Sequence, residues 1–387
     1  MKGYRMRDSL PEEAHAALAA YAPFLRSLLW HRNVRSGEEA EAFLNPSYDA
    51  HLHDPFLLPD MEKSVAKILG AMKQQERIVV YSDYDCDGIP GGVVLHDFFR
   101  AVGYESFENY IPHRHEEGYG LNNEAIEALA ERQAKLLITV DCGITDTEQV
   151  ARANELGISV IVTDHHLPRQ VKTAAGVADE LPPAFAVINP KRADSAYPFD
   201  GLCGGGVAFK LTQALLLRGD FKLSPGREKW WLDMAGLSTL ADMVPLVGEN
   251  RALASYGLLV LRKTRRPDLK FVVMSATLEA DELTRCLPEA ARVDVPGRLF
   301  PVDVRHRPGD ALEALKDLSR EGLDGSVLVF LPGMREIRRT LTQMTPYCRD
   351  QGLELHALHG SMDLAEQQHV LEESPTRRVI LATNVAE

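Results

Sequence analysis

The chain has 387 residues, 45% hydrophobic and 26% charged, with a net charge of −13. That length allows two or three domains, and no apolar run approaches the ~20 residues of a membrane span or forms a signal-peptide core behind Met1. The acidic balance counts against a broad, non-specific DNA-binding surface, although a groove needs only local basic residues.

Five scattered cysteines (Cys86, Cys142, Cys203, Cys286 and Cys348) form no CxxC pair. They fit a reducing cytoplasm and argue against a disulfide framework or a structural zinc site. Cys86 and Cys142 read as small apolar fillers of a crevice wall.

Residues 1–60 read as a helical lead-in, in which the amphipathic turn Glu38 to Phe43 is stopped by Asn45-Pro46-Ser47. From Met61 the text alternates between helix and strand. A helix over Met61 to Met72 precedes the apolar run Ile78-Val79-Val80-Tyr81, and Gly91 to Val102 follows as helix. Asn122 caps a helix running to Ala134. Leu136 to Val140 is a strand, Thr145 or Asp146 caps a helix ending at Gly157, and Val160 to Thr163 is the next strand. Ala184 to Ile188 is a further strand; helices then cover Gly205 to Leu217, Arg227 to Leu240 and Arg251 to Arg262. This rhythm predicts an α/β fold with a doubly wound, mostly parallel sheet over residues 61–268.

At Arg262-Lys263-Thr264-Arg265-Arg266-Pro267-Asp268 the text changes. A second α/β rhythm occupies residues 269–387: strand Phe271 to Met274, helix Ala280 to Leu287, strand Val327 to Leu331, helix Met334 to Met344, strand Leu353 to Leu358, helix Leu364 to Glu373 and strand Arg378 to Ala382. Glu387 falls within a residue or two of a strand end, an unusual place for a domain to finish.

Four carboxylate-rich segments follow or flank apolar runs. They are Asp83-Tyr84-Asp85-Cys86-Asp87-Gly88, Asp141-Cys142-Gly143, Asp164-His165-His166 and Ala241-Asp242-Met243-Val244-Pro245. In an open α/β sheet, residues just past the strands' carboxyl ends share one crevice. Carboxylates crowded together raise one another's pKa, and divalent cations relieve that repulsion. A metal site of two ions is expected, with metal-assisted hydrolysis as its reaction. Oxygen donors with one imidazole suit manganese or magnesium rather than zinc.

Asp83 and Asp85 sit two apart, which on an extended segment points both the same way. Asp141, on the middle strand, is the natural bridging ligand, and Asp242 approaches from a helical segment. His165 is the expected imidazole ligand; His166 faces otherwise, to contact phosphate or act as an acid. Asp87, Asp146 and Asp164 serve equally well as helix caps or turn formers, and Asp164 could instead hold a histidine.

The segment Pro112-His113-Arg114-His115-Glu116-Glu117-Gly118-Tyr119-Gly120-Leu121-Asn122 could serve a substrate. Arg114 offers a planar fork to phosphate, and Gly118 and Gly120 would let backbone amides approach an anion. A glycine-rich loop with a surface arginine is an equal reading. Gly204-Gly205-Gly206 opens a helix and reads as close helix–strand packing more than as a phosphate site.

Together these segments resemble the DHH phosphoesterase superfamily, and within it single-strand DNA exonucleases of the RecJ type. Phe43-Leu44-Asn45-Pro46, Asp54 to Met61, Glu117 to Leu121, Leu202 to Lys210 and Asn250-Arg251-Ala252-Leu253 add to the match, which runs from about residue 10 to residue 268. The resemblance implies a manganese- or magnesium-dependent phosphodiesterase that removes nucleotides from the 5′ end of single-stranded DNA in repair and recombination. By position it carries ligand roles onto Asp83, Asp85, Asp141, His165 and Asp242. A hydrolase of short oligonucleotides or cyclic dinucleotides, and an inactive fusion lacking the DHH-associated domain, are the alternatives.

Residues 269–387 resemble DEAH-box helicases of the HrpB type, through Met274-Ser275-Ala276-Thr277-Leu278, Leu299 to Val302, Val329 to Ile337, Leu358 to Met362 and Ala382 to Glu387. This part reads as a partial RecA-like domain. It has no G-x-x-x-x-G-K-[ST] loop and no Asp-Glu-Ala-His segment, so no ATP binding is expected.

Overall fold

Short β-branched runs pair edge to edge in the computed structural model, which describes residues 9–263 except 115, 174 and 175, and residues 304–383 except 307–308, 360–361, 363–368 and 371–373. The chain divides into two compact units, Met1–Val273 and Met274–Glu387.

The described residues of the first unit hold strands β1 (Arg77–Ser82), β2 (Phe107–Tyr110), β3 (Ala134–Val140), β4 (Ser159–Thr163), β5 (Arg169–Thr173), β6 (Gly176–Glu180) and β7 (Ala186–Ile188). Five of them form one sheet in the order β2-β1-β3-β4-β7, and every pairing in it is parallel. Helices cover both faces, so β1, β3, β4 and β7 are buried almost throughout.

Alternate strand residues serve opposite layers. Ile78, Val80, Leu136 and Ile138 join the larger core, built with α5 (Met61–Lys73), α6 (Gly88–Ala101), α9 (Gly204–Arg218) and α10 (Leu232–Ala241). Val79, Tyr81, Leu137 and Val160 face α7 (Asn123–Glu131) and α8 (Thr147–Glu155). The lead-in supplies α1 (Glu12–Ala17), α2 (Pro23–Trp30), α3 (Gly37–Leu44) and α4 (Tyr48–His51); Ser36 caps α3 by accepting from the Glu39 amide. Helix α11 (Gly248–Leu261) crosses α10 so closely that a Cβ on Gly236 would lie 2.7 Å from Gly257 Cα.

The expected doubly wound, mostly parallel sheet is the one observed, with local differences. α7 stops at Glu131 rather than Ala134, because Gln133 takes a left-handed turn (φ 64°) and Ala134 opens β3. Residues Arg227–Trp231 form a 3-10 turn ahead of α10 rather than its first turns. The edge strand β2 and the antiparallel β5–β6 hairpin have no counterpart in the sequence reading.

The second unit carries α12 (Ala311–Glu321), β8 (Val327–Phe330), α13 (Met334–Asp350), β9 (Glu354–Leu358) and β10 (Arg378–Ala382). Its strands pair in parallel in the order β8-β10-β9, over a core that includes Leu315, Ile337, Met344, Val379 and Leu381. Helix α12 has no counterpart in the sequence reading, and α13 runs on past Met344 with Pro346 inside it. The strand expected at Phe271 to Met274, the helix at Ala280 to Leu287 and the Ser275-Ala276-Thr277 segment lie outside the described residues. So does the helix expected at Leu364 to Glu373, apart from His369 and Val370, which are helical.

Candidate metal centre

The strands deliver their acids to one edge. Beyond β1 the Asp83 amide donates to the Val140 carbonyl (3.1 Å); beyond β3 Asp141 donates to Thr163 (3.0 Å); beyond β4 Asp164 donates to Ile188 (3.1 Å). Each acid is therefore still anchored to the neighbouring strand. From β1 the chain crosses to β2 on one side and then to β3 on the other, so the acids stand at the topological switch point, where open α/β sheets bind ligands.

Three overlapping groups of donors form there. One ligand atom from each of Asp83, Asp85 and Asp141 lies within 4.8 Å of the others, as do atoms of Asp87, His165 and Asp242, and of Asp141, His165 and His166. His165 Nε2 is 3.1 Å from Asp141 Oδ1, 3.5 Å from Asp87 Oδ2 and 3.8 Å from Asp242 Oδ2. Asp141 and His165 each belong to two of the three groups.

Burial makes this arrangement costly as it stands. Asp83 and Asp141 are each only 2% exposed. Buried Asp83 Oδ1, Asp141 Oδ1 and both ring nitrogens of His165 have no hydrogen-bond partner among the described residues. Burial, then the neighbouring Asp85 charge, pushes Asp83 up to about 6. Burial and the charges of Asp87 and Asp85 push Asp242 up to about 6. Asp141 is raised much further, by burial and by Asp87 and Asp164. Orphaned buried donors of this kind fit hard divalent cations, and the oxygen-rich set with imidazole suits manganese or magnesium.

The supporting residues are specific. Asp164 is no free ligand: Oδ1 accepts from the His165 amide (2.7 Å), the His166 amide (3.0 Å) and His166 Nδ1 (2.8 Å), and Oδ2 from the Ile144 amide (3.0 Å). Burial alone would raise its pKa, but these bonds hold it below the ordinary value. In return, Asp164 keeps the His166 imidazolium above its usual range, whereas burial depresses His165. Asp164→Asn is expected to loosen both histidines and weaken Mn2+ affinity by about 10–100-fold. Isothermal titration with Mn2+ measures this directly, and unchanged affinity would show that Asp164 positions nothing.

Asp87 has a larger part than the cap expected of it. Its carboxylate accepts from the Gly204 amide (2.7 Å), the Gly205 amide (2.8 Å) and the Ser238 hydroxyl, which ties the start of α9 to the centre. At Gly204 a Cβ would come 2.5 Å from Asp141 Cβ, so the glycine lets α9 come close to Asp141. Close packing is thus what the glycines at the start of α9 provide.

Several expectations change in detail. Asp83 and Asp85 converge through a turn rather than along an extended segment, and Asp85 Oδ1 accepts from the Asp87 and Gly88 amides at the start of α6. His166 does not face wholly away: its ring lies 4.5 Å from that of His165 and it shares a donor group with Asp141. Asp146 makes no side-chain cap on α8; its Oδ2 accepts from the Leu121 amide (2.8 Å). Cys142 is buried as expected, but Cys86 is exposed and fills no wall.

The glycine-rich loop also reaches the centre. Arg114 is exposed and stacks over Tyr84, 5.0 Å from its ring, where its charge lowers the Asp83 pKa. Gly118 and Gly120 adopt positive φ, 78° and 81°. A Cβ at Gly120 would meet Asp146 Oδ2 at 2.7 Å, so this glycine lets the loop pass an acid. Between them, the Tyr119 hydroxyl donates to the Asp141 carbonyl (3.0 Å) and lies 3.4 Å from His166 Nδ1. Neither Tyr119 nor the second role of Asp87 is among the residues expected from the sequence. The Gly-Tyr-Gly spacing is the available signal for Tyr119.

Residues 77–239 match the model of the DHH family, N-terminal domain. The single-stranded-DNA-specific exonuclease RecJ of Bacillus subtilis (strain 168) is 39% identical over 299 residues, which are 76% of this chain and 35% of that protein. A crystal structure of RecJ from Thermus thermophilus in complex with Mn2+ aligns with a TM-score of 0.53 at 25% identity, covering 96% of this chain and 52% of that one. The ATP-dependent RNA helicase HrpB of Escherichia coli (strain K12) is 39% identical over 141 residues, 34% of this chain and 17% of that protein. The chain spans between 35% and 52% of the length of the RecJ relatives it matches. No helix among the described residues is long and apolar enough to cross a membrane. Residues 77–239 thus match the DHH family, N-terminal domain, and 76% of the chain is similar in sequence to a RecJ exonuclease.

Proposed function

We propose that this chain hydrolyses phosphodiester bonds of single-stranded DNA, releasing nucleotides from the 5′ end, at the centre formed by Asp83, Asp85, Asp141, His165 and Asp242. The observation that carries the reading is the convergence of buried, unpartnered carboxylate and imidazole atoms at the switch point of a DHH-family sheet. Asp83, Asp85, Asp141, His165 and Asp242 would hold two ions, manganese or magnesium, which when bound would supply the charge that polarises a phosphoryl oxygen and activates water.

The chain's own residues do the rest. Asp164 fixes the orientation of the histidine pair. His166, whose pKa is raised by its bond to Asp164, contacts a phosphate oxygen. Arg114, on the loop beside Asp83, pairs with a neighbouring phosphate, and Gly118 and Gly120 set the path of that loop. The second unit, partial and RecA-like in this reading, hydrolyses no ATP, because the sequence has no phosphate-cradling G-x-x-x-x-G-K-[ST] loop.

Single-stranded oligonucleotides labelled at either end test the proposal. Manganese-dependent release of mononucleotides from the 5′-labelled end is expected. Release from the 3′ end, or equal turnover in a chelator, would contradict it. Turnover confined to dinucleotides and other very short strands would move the reading to a short-oligonucleotide hydrolase.

A further inference from the structure

Beside the acidic centre stands a lysine whose charge has no partner among the described residues. Lys191 follows β7, half-buried, and there it forms no ion pair or side-chain hydrogen bond. Its neighbour Arg192 is fully occupied, by Asp60 (2.9 Å), Asp194 (2.7 Å) and the Val187 carbonyl (2.6 Å). Lys191 is also held in place. Fully buried Asn189 accepts from the Lys191 amide (2.8 Å) and donates to the His166 carbonyl (2.8 Å). The lysine is thus linked through one side chain to the Asp-His-His segment, and its charge is felt by His165, His166 and Asp242.

A cavity of about 590 Å³ opens at the same place, lined by Lys191, Leu167, Pro190, Ser195 and Pro198 among others, with one carboxylate, Asp200, also on its wall. Leu167 directly follows His166, so the cavity adjoins the centre. Its volume is in the range of small-ligand pockets. A cation, a hydroxyl and flat apolar surfaces match a phosphate carrying a sugar and a base.

We infer that this cavity is a nucleotide subsite of the centre, in which Lys191 binds a phosphate next to the one being cleaved while Leu167, Pro190 and Pro198 receive the nucleoside. The inference rests on the hydrolysis reading for its choice of a DNA strand as ligand. Lys191 serves here as a specificity-determining contact.

Isothermal titration with deoxyadenosine 5′-monophosphate, in magnesium, tests it on the full chain. Saturable binding is expected, weaker by about tenfold or more in Lys191→Gln, as for a lost charge-assisted hydrogen bond. Lys191→Arg should stay within about threefold, since the charge is kept. With strands, Lys191→Gln should raise KM by a larger factor than it lowers kcat. No saturable binding, equal binding of deoxyadenosine without phosphate, or equal binding by Lys191→Gln would overturn the subsite. Lys191-dependent nucleotide binding in a protein that cuts no strand would leave the subsite standing and remove the hydrolysis reading. Strand cutting with nucleotide binding indifferent to Lys191 would do the reverse.

Discussion

Asp141→Ala should lower manganese-dependent nucleotide release from single-stranded DNA by about 10³-fold or more, a loss on the scale of removing a central electrostatic stabiliser. Asp141 contributes to both the Asp83–Asp85 group and the His165–His166 group, so its loss opens both at once. Asp83, Asp85 and Asp242 each contribute to one group, and their alanine variants should lose less. The fold should survive the change, because the Asp141 backbone, not its side chain, carries the bond to Thr163. Release measured beside circular dichroism of the same sample decides the matter. Comparable turnover in a folded Asp141→Ala protein would place the chemistry elsewhere.

Stripped of metal, the protein should become less stable as pH rises. Asp83 and Asp242 ionise at 3.8 when free, but at about 6 in the fold. Between those values the native state binds more protons than the unfolded chain, so stability falls across that window and stays low above it. Asp141, raised further, extends the loss to higher pH. His166, whose folded pKa is raised above 6.5, works in the same direction: its contribution is present below that value and fades as pH climbs through the folded one.

In a chelator, Tm should therefore drop from about pH 5 to about pH 8. Asp141→Asn, which cannot ionise, should raise the chelated protein's Tm at about pH 8 by about 5 °C. Manganese should restore the parent and do much less for the variant. Differential scanning calorimetry across pH reads all of this. A flat profile in chelator would show that the acids are not in electrostatic conflict.

The sheet is legible in the sequence because its inner strands are nearly pure β-branched and aliphatic runs, a pattern that burial on both faces requires. Ile78 to Tyr81 and Leu136 to Val140 carry that pattern without interruption, so the acids that follow them can be assigned to one edge. β2 escapes because Phe107-Glu108-Asn109-Tyr110 is a half-exposed edge whose partner, β1, lies far off in sequence. Among the described residues the β5–β6 hairpin joins no other strand, and Arg169 to Thr173 mixes polar with apolar residues as many loops do.

Within the centre, the residues that follow strands can be named one by one, but the contacts between elements cannot. Asp87 looks like a helix cap because it is followed by Gly88. Its bonds to Gly204, Gly205 and Ser238 exist only once α9 and α10 pack over the sheet. Tyr119 is hidden for a similar reason: its place over Asp141 depends on a loop path set by two positive-φ glycines. Lys191 stands out only when the ion pairs of its neighbours are known.

The most direct test of the central claim is the number and place of manganese ions bound, read by anomalous diffraction from crystals grown in manganese. Two ions about 3.5–4 Å apart are expected, with Asp141 touching both, and the loss of at least one ion in Asp141→Asn. A single ion away from Asp141, or none in a well-ordered centre, would contradict the claim.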